Sequence, residues 1–350
     1  MLSDPRSRAR MTVVAALLLG VVLGAGALRL AGSGSDDAGA RLAEGQATTT
    51  PTPTTTPPPT TPGVATQFTA SSLNVLGADH TDSGGNKHGW APGAVRMKWL
   101  TEIIQDRSVD VVGLQEFQYP QYQTFVAELG DEFGTYPGLL WGKRGMRNSV
   151  AWRLDQWDLV SGSWIKVPYF HGTVLRMPVV LLRNIQTGQQ VYYSSFHNPA
   201  DARGRAEKWR DQATDLEIAM VNRLRTSSGL PVFVTGDMNE RNEYFCRMTA
   251  GTDMLAANGG FNQGGTCGPT RPVYIDWIFG SPETTFTGYE AYRSAKVRKS
   301  TDHPMIITQA ELPPVITPPS DCPTPTATPT PTPTPTRTPS PTGSPTPNVP

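Results

Sequence analysis

Two runs of proline and threonine, one before residue 62 and one from residue 317 to the end, decide where this chain can fold. Each proline fixes its own φ, withholds an N–H and biases the preceding residue toward extended backbone, so neither run can build a helix or enter a central strand. Both lack the apolar side chains needed to offset the entropy of ordering and are expected to behave as extended tethers. Folding is confined to the mixed-composition block between them. The expected organisation is residues 1–30 as an N-terminal segment, 31–65 as a Gly/Ser-rich and then Thr/Pro-rich linker, 66–316 as the folded domain and 317–350 as a tail. A block of roughly 250 residues supports one large core, and no flexible break divides it.

The N-terminal segment has Arg6, Arg8 and Arg10 ahead of an uncharged stretch from Met11 to Leu28. At about 1.5 Å per residue that stretch spans roughly 27 Å, close to the thickness of a bilayer core. The arginines set its N-terminal side toward the cytoplasm. Ala25-Gly26-Ala27 also fits a signal-peptide cleavage site. Two readings stand: a single-pass membrane anchor with an extracytoplasmic domain, which the length favours, or a removed signal peptide and a secreted product. An exported chain with three cysteines points to one disulfide and one leftover thiol. Cys246 and Cys267, inside the block, are the expected pair, with Cys322 in the tail. Lys plus Arg and Asp plus Glu stand at 30 each, which excludes a global basic field and leaves only local patches to meet a polyanion.

Within the block, short apolar β-rich runs recur at Ser72–Leu76, Val109–Leu114, Ser149–Trp152, Val179–Leu182, Val191–Phe196, Val232–Thr235, Ile275–Phe279 and Met305–Thr308. Helical spacing appears in Arg205–Arg225, where Trp209, Ala213, Leu216, Met220 and Leu224 would form the buried face. It appears again in Gly93–Gln105 through Val95, Trp99 and Ile103, and over Tyr122–Leu129. Many strands and few helices predict sheets packed face to face with helices outside.

Polar residues fall where those strands end. Val111–Leu114 runs into Gln115-Glu116, and Val232–Thr235 into Gly236-Asp237-Met238-Asn239. Tyr192–Phe196 ends on His197, Asp276 interrupts an apolar strand, Asp302-His303 precedes Met305, and Asn74 sits among apolar neighbours. If the tips meet, they form one acidic site with two imidazoles. Its hard oxygen donors suit Mg2+, Mn2+ or Ca2+ rather than zinc, and such a site matches the needs of phosphodiester hydrolysis. Each element alone has a plainer explanation; a Gly-Asp-x-Asn turn, for instance, can bond only its own backbone. Their joint occurrence in order carries the reading.

That ordered set, from Asn74 to His303, resembles the endonuclease/exonuclease/phosphatase superfamily, with one departure: Thr301 stands between Ser300 and Asp302. The resemblance implies an α/β four-layered sandwich of two packed central β-sheets flanked by helices. It implies Glu116, Asn74 and Asp302 as metal ligands, with His197, Asp237, Asn239, Asp276 and His303 as the catalytic set. His303 would be oriented by Asp276, and Asp237 with Asn239 would position the nucleophile and a phosphoryl oxygen. Arg176, in Leu175-Arg176-Met177-Pro178, is similar to a phosphate-contacting arginine of the deoxyribonuclease branch, which also has a disulfide placed like Cys246–Cys267.

Further expectations concern the rim. Asn148, in the basic Lys143–Asn148 segment, is expected on substrate phosphate, and Arg203, Arg205, Lys208 and Arg210 on a basic edge. Asp79-His80 could approach the metal, and Tyr169-Phe170-His171 could form an aromatic hairpin. The expected activity is that of a monomeric, divalent-metal-dependent nuclease acting on DNA or RNA. The alternatives are a hydrolase of phospholipid head groups or sugar phosphates, for which a membrane tether would make sense, and a non-catalytic surface-binding module.

Overall fold

The structure, a computed structural model, describes residues 63–315. The predicted export segment, most of the linker, the tail and Cys322 lie outside the described residues. Among the described residues no helix is long and apolar enough to cross a membrane.

The elements run β1 (Thr66–Asn74), α1 (Ala78–Thr81), α2 (Gly93–Asp106), β2 (Val111–Gln115), α3 (Tyr119–Leu129), β3 (Phe133–Tyr136), β4 (Ser149–Arg153), β5 (Trp157–Pro168) and β6 (Val174–Asn184). They continue through β7 (Gln190–His197), α4 (Glu207–Ser228), β8 (Val232–Asp237), α5 (Asn242–Gly251), β9 (Leu255–Ala256), β10 (Gly260–Gln263) and β11 (Thr266–Pro269). The last are β12 (Asp276–Gly280), β13 (Thr285–Tyr292), α6 (Ala295–Ser300) and β14 (Met305–Leu312).

Two six-stranded sheets result, ordered β13-β14-β1-β2-β4-β3 and β5-β6-β7-β8-β12-β9, with β10 and β11 as a separate hairpin. Each large sheet contains one parallel pair, β1 with β2 and β7 with β8. Each of those pairs is joined by a long crossover helix, α2 or α4, as parallel neighbours require. Three buried clusters define the layers. Met97, Leu100, Val112, Leu114, Phe125 and Met305 pack helices on the first sheet. Ala213, Met220, Val234, Phe245 and Trp277 do the same on the second. Phe68, Val111, Trp152, Trp157, Val180, Tyr193 and Phe233 fill the space between sheets. This is the expected four-layered sandwich; five of the eight anticipated strands lie wholly inside an observed strand, and Ser72–Leu76, Val109–Leu114 and Ile275–Phe279 overlap β1, β2 and β12 with shifted ends.

The two helix faces differ from expectation in a consistent way. In α4, Leu216 is 43% exposed and Glu217 is wholly buried, accepting a hydrogen bond from Tyr244 Oη at 2.8 Å. In α2, Val95 is 43% exposed and the guanidinium of Arg96 is wholly buried. Each helix is rotated so that a charged side chain with inward partners replaces an aliphatic one. The Cys246–Cys267 disulfide is present, with Cα atoms 5.8 Å apart, and ties α5 to β11.

At the sheet interface polar contacts join the two inner faces. Tyr193 Oη donates to Ser71 O at 2.9 Å and Gln115 Nε2 to Ser195 Oγ at 3.0 Å. Gly113 makes this approach possible: a Cβ there would lie inside the radius of Thr235 Oγ1 and 3.2 Å from Ser195 Cβ. Gly113→Ala is therefore expected to cost about 1–3 kcal/mol by overpacking. Adding Thr235→Ala should recover part of that loss, so denaturant melts of the two singles and the double must be non-additive.

Burial raises the Glu217 carboxyl to about 7, against the partial relief of its bond from Tyr244. A carboxyl raised on folding holds its proton in the native state. The stability this supplies is complete below the unfolded value and disappears as pH rises through about 7. Between pH 4.5 and 8 the wild type should lose on the order of 3 kcal/mol relative to Glu217→Gln. Parallel pH profiles of the two melts would contradict the assignment.

Candidate active site

Sheet register assembles the site. In the second sheet His197 pairs with Asp237 across the parallel β7–β8 ladder, and Asp276 pairs with Asp237 across β8–β12. Three predicted residues therefore stand side by side. In the first sheet Asn74 pairs with Gln115 at the ends of β1 and β2, so Glu116 follows one residue beyond the ladder.

Both central strands end in the same local device. Asn74 Oδ1 accepts from Leu76 N at 3.0 Å, and Asp237 Oδ1 accepts from Asn239 N at 3.0 Å. Leu76 and Asn239 take left-handed backbone, φ 52° and 51°. These Asx turns release the rest of each side chain for the site. Glu116 also has left-handed backbone, φ 56°, which costs a residue with a Cβ energy and persists only where its surroundings fix it. Its carboxylate is so fixed: Oε2 accepts from Gly77 N at 2.8 Å and Oε1 from Asn74 Nδ2 at 3.0 Å.

Asp237 Oδ2 is the focus of the second sheet's groups. Asn74 Nδ2 reaches it at 3.0 Å, His197 Nε2 lies 3.6 Å away and His303 Nε2 3.7 Å away. His303 Nδ1 contacts both oxygens of Asp276, at 2.9 and 3.0 Å. Asn239 Nδ2 donates to Asn198 O at 2.8 Å, which ties the Asp237 loop to the chain leaving His197. Tyr169, half-buried, sets its ring against His197 with centroids 5.7 Å apart. No signal in the sequence separated Tyr169 from the hairpin around it.

Charge in the site is polarised. Burial works against ionising Glu116, but His197, the Gly77 N–H, Asn74 and His80 outweigh it and hold the carboxyl down at about 2. Burial likewise opposes protonation of His303, yet Asp276 and Asp237 raise the imidazole to about 10. The site thus holds a firm carboxylate on the first-sheet side and an imidazolium on the other.

The remaining expected residues are placed as follows. Asp302 is exposed and paired with Lys87, a partner the sequence did not suggest. His80 Nε2 lies 3.4 Å from Glu116 Oε2, while Asp79 pairs with Arg147 at 3.3 Å. Asn148 is not an open phosphate contact: it is buried, with Nδ2 on Met177 Sδ at 3.1 Å and Oδ1 unpartnered. Arg210 is not on a basic edge either. It is buried against Glu240 at 2.9 Å, Pro199 O at 3.0 Å and Asp201 at 3.0 Å. Arg203 lies over the Phe170 ring, 5.0 Å from its centroid. Arg176 is exposed on β6 beside Trp164 and Trp141.

Glu116 fits a divalent cation: it is ionised, hard, 21% exposed at its side chain, and faces imidazoles rather than a permanent cation. Asn74 presents nitrogen to it and keeps oxygen on Leu76, so a ligand role for Asn74 requires its amide to turn over. Asp237, Asp276 and His303 also bring ligand atoms within 4.8 Å of one another. There, however, His303 Nδ1 is already engaged with both oxygens of Asp276, which leaves that cluster fewer free ligand atoms.

A family model described as the Endonuclease/Exonuclease/phosphatase family matches residues 72–303. Solved structures with the same fold include an endonuclease/exonuclease/phosphatase family protein of Bacteroides thetaiotaomicron, 19% identical with a TM-score of 0.56, covering 71% of this chain and 99% of that one. A mannosyl-6-phosphatase of the same species is 20% identical with a TM-score of 0.52, covering 70% and 99%. The catalytic domain of human Nocturnin, with bound sulfate, is 14% identical with a TM-score of 0.53, covering 71% and 96%. At such identities the likeness is one of fold. No curated protein matches the chain.

NMR titration of the metal-free protein should find His303 protonated up to about pH 10. Because the value is raised on folding, the associated stability is complete below the ordinary histidine range and lost as pH rises through about 10. Asp276→Asn should bring the midpoint back toward that ordinary range. An unchanged midpoint would show that Asp276 does not hold the proton.

Proposed function

The chain belongs to the endonuclease/exonuclease/phosphatase family, and from that premise we propose that it is a divalent-metal-dependent phosphodiesterase that cleaves nucleic acid outside the cytoplasm. The observation that carries the reading is the meeting of an ionised Glu116 with the His197–Asp237–His303–Asp276 set at the ends of two sheets.

Hydrolysis forms a bond from water oxygen to phosphorus and breaks the ester bond, so water loses a proton and the leaving oxygen gains one. Asp237 Oδ2, between two imidazoles, is placed to orient the attacking water and take its proton. Asn239 sits on the same turn and positions a phosphoryl oxygen. The His303 imidazolium, fixed by Asp276, faces the phosphate as a cation. His197 serves the leaving group or the charge that builds on it. Glu116, with a turned Asn74 and with Asp302 once it leaves Lys87, would hold Mg2+, Mn2+ or Ca2+, which when bound neutralises phosphoryl charge.

A monoester reading draws on the mannosyl-6-phosphatase among the fold neighbours, but no residue of this chain favours it. For lipid head groups an exposed aromatic hairpin was the expected sign. The Tyr169-Phe170 pair is instead half-buried, with its rings 4.5 Å apart. A non-catalytic module would not need this constellation. Export rests on the Arg6–Leu28 pattern, and a monomer remains the expectation.

The test is hydrolysis of plasmid DNA and of bis(p-nitrophenyl) phosphate with each of the three cations. Nicking should vanish in EDTA and fall about 10²–10⁴-fold in His303→Ala. Turnover of the small diester without nicking would remove the nuclease reading and leave the phosphodiesterase.

A further inference from the structure

The row across the second sheet does not stop at His197. Val179 of β6 pairs with Ser194 of β7. β6 runs antiparallel to β7, so its first residues, Arg176 among them, lie at the end of the sheet where β7 reaches His197, beyond the last paired residues. Arg176 is in turn paired with Lys166 of β5. Two cations of β5 and β6 therefore lie at the site end of the sheet, on the two strands outward from the one that carries His197.

Lys166 and Arg176 stand directly opposite each other on one face, an arrangement that destabilises a sheet when nothing neutralises it. Among the described residues neither has an acidic side chain within ion-pair distance. Parity puts both on the face that Val180 and Leu182 turn toward the first sheet. Yet the first sheet does not cover them. Its edge is met at Gly162, against the Tyr136 ring, and Trp164 and Lys166 lie beyond. Trp164 is 45% exposed, edge-on to Trp141 at 5.7 Å, and the Arg176 guanidinium lies 5.1 Å from its ring centroid. Arg176 is held against two indoles, but Lys166 has no acidic partner among the described residues, and the half-open Trp164 stands beside them at the site end of the sheet.

We propose that Lys166, Trp164 and Trp141, with Arg176 as the link to the catalytic row, form a secondary subsite for single-stranded nucleic acid. The cations take a phosphate adjacent to the scissile one, and Trp164 stacks an unpaired base. The proposal rests on the nuclease reading and narrows it: a stacking indole is of use only to a strand whose bases are free.

The test uses the full-length protein, an end-labelled 12-nucleotide oligothymidylate, a hairpin duplex and bis(p-nitrophenyl) phosphate, all with Mg2+. Trp164→Ala should raise KM for the oligonucleotide about 10-fold at every salt concentration. Lys166→Ala should instead reduce the slope of log KM against log salt by about 0.7. Both should leave the small diester within about two-fold, since it cannot reach β5. Unchanged oligonucleotide KM in a wild type that cleaves it would overturn the subsite alone, as would equal losses on both substrates or on the duplex. A wild type that cleaves the small diester but no oligonucleotide would overturn the nuclease reading and the subsite together. Leu139 and Leu140, 51% and 78% exposed next to Trp141, supply the rival occupant. If Trp164→Ala releases the protein from phosphatidylserine vesicles and spares oligonucleotide cleavage, the patch meets a membrane and the proposal fails.

Discussion

The side-chain amide of Asn74 has two N–H groups, and each meets a different carboxylate: Glu116 of its own sheet and Asp237 of the other, both at 3.0 Å. Only one geometry permits this. The two sheets must approach closely at their site ends, which Gly113 allows, and β1 must stop in a turn that fixes the amide with its oxygen on Leu76. Asp237 ends β8 in the same kind of turn, with its spare oxygen facing inward. Loss of the amide would leave a buried carboxylate oxygen short of a donor, a penalty of about 1–3 kcal/mol before any effect on chemistry. The same contact sets the spacing between Glu116 and the imidazoles, so packing and chemistry cannot vary independently here.

Two buried arginines hold the loops that this contact needs. Arg96 of α2 donates to Val75 O at 2.8 Å, Leu76 O at 2.6 Å and Ser300 O at 2.7 Å, binding the turn after β1 to the segment before Asp302. Burial lowers its guanidinium to about 10, still charged at neutral pH. Arg210 of α4 does the equivalent for the second sheet, reaching Pro199 O after His197 and Glu240 after Asn239. In each half the crossover helix of the parallel pair carries the clamp. A guanidinium suits the task because its planar fork serves several carbonyls at once, where an ammonium cannot. Buried charge contributes little net stability while its acceptors are in place and costs several kcal/mol when they are removed.

These clamps also explain what could be read from the sequence and what could not. The central strands were legible because they are buried on both faces and end abruptly in polar residues. Val232–Asp237 is the clearest: an apolar run, then Gly-Asp-x-Asn. The plain reading of that turn leaves room for the functional one, since Oδ1 of Asp237 bonds its own backbone while Oδ2 is left facing the imidazoles. The helix faces misled because a hydrophobic stripe is a rule about solvation. Arg96, Arg210 and Glu217 escape it by finding partners far away in sequence, so Val95 and Leu216 turn outward. Edge strand β5 was missed for the opposite reason: most of it is exposed, and no apolar alternation marks it. Asn148 and Arg210 looked like rim residues because composition says nothing of which polar groups are covered.

The row from Asp276 to Lys166 suggests how a chain with balanced charge can prefer a polymer. Its 30 basic and 30 acidic residues raise no field that would collect polyanions from a distance. The cations belong to β6 and β5, one and two strands outward from that of His197, so their separation from the site is on the order of the screening length at moderate salt. They therefore act on a ligand already in the groove and contribute to holding it more than to finding it. A single phosphate can occupy either the catalytic end of the row or the cationic end. Only a chain of phosphates can occupy both, and the order of strands in the sheet keeps the two ends apart. On this argument, selectivity for a polymer follows from strand pairing, not from net charge, and a single exposed lysine on an edge strand can set it without disturbing the catalytic groups.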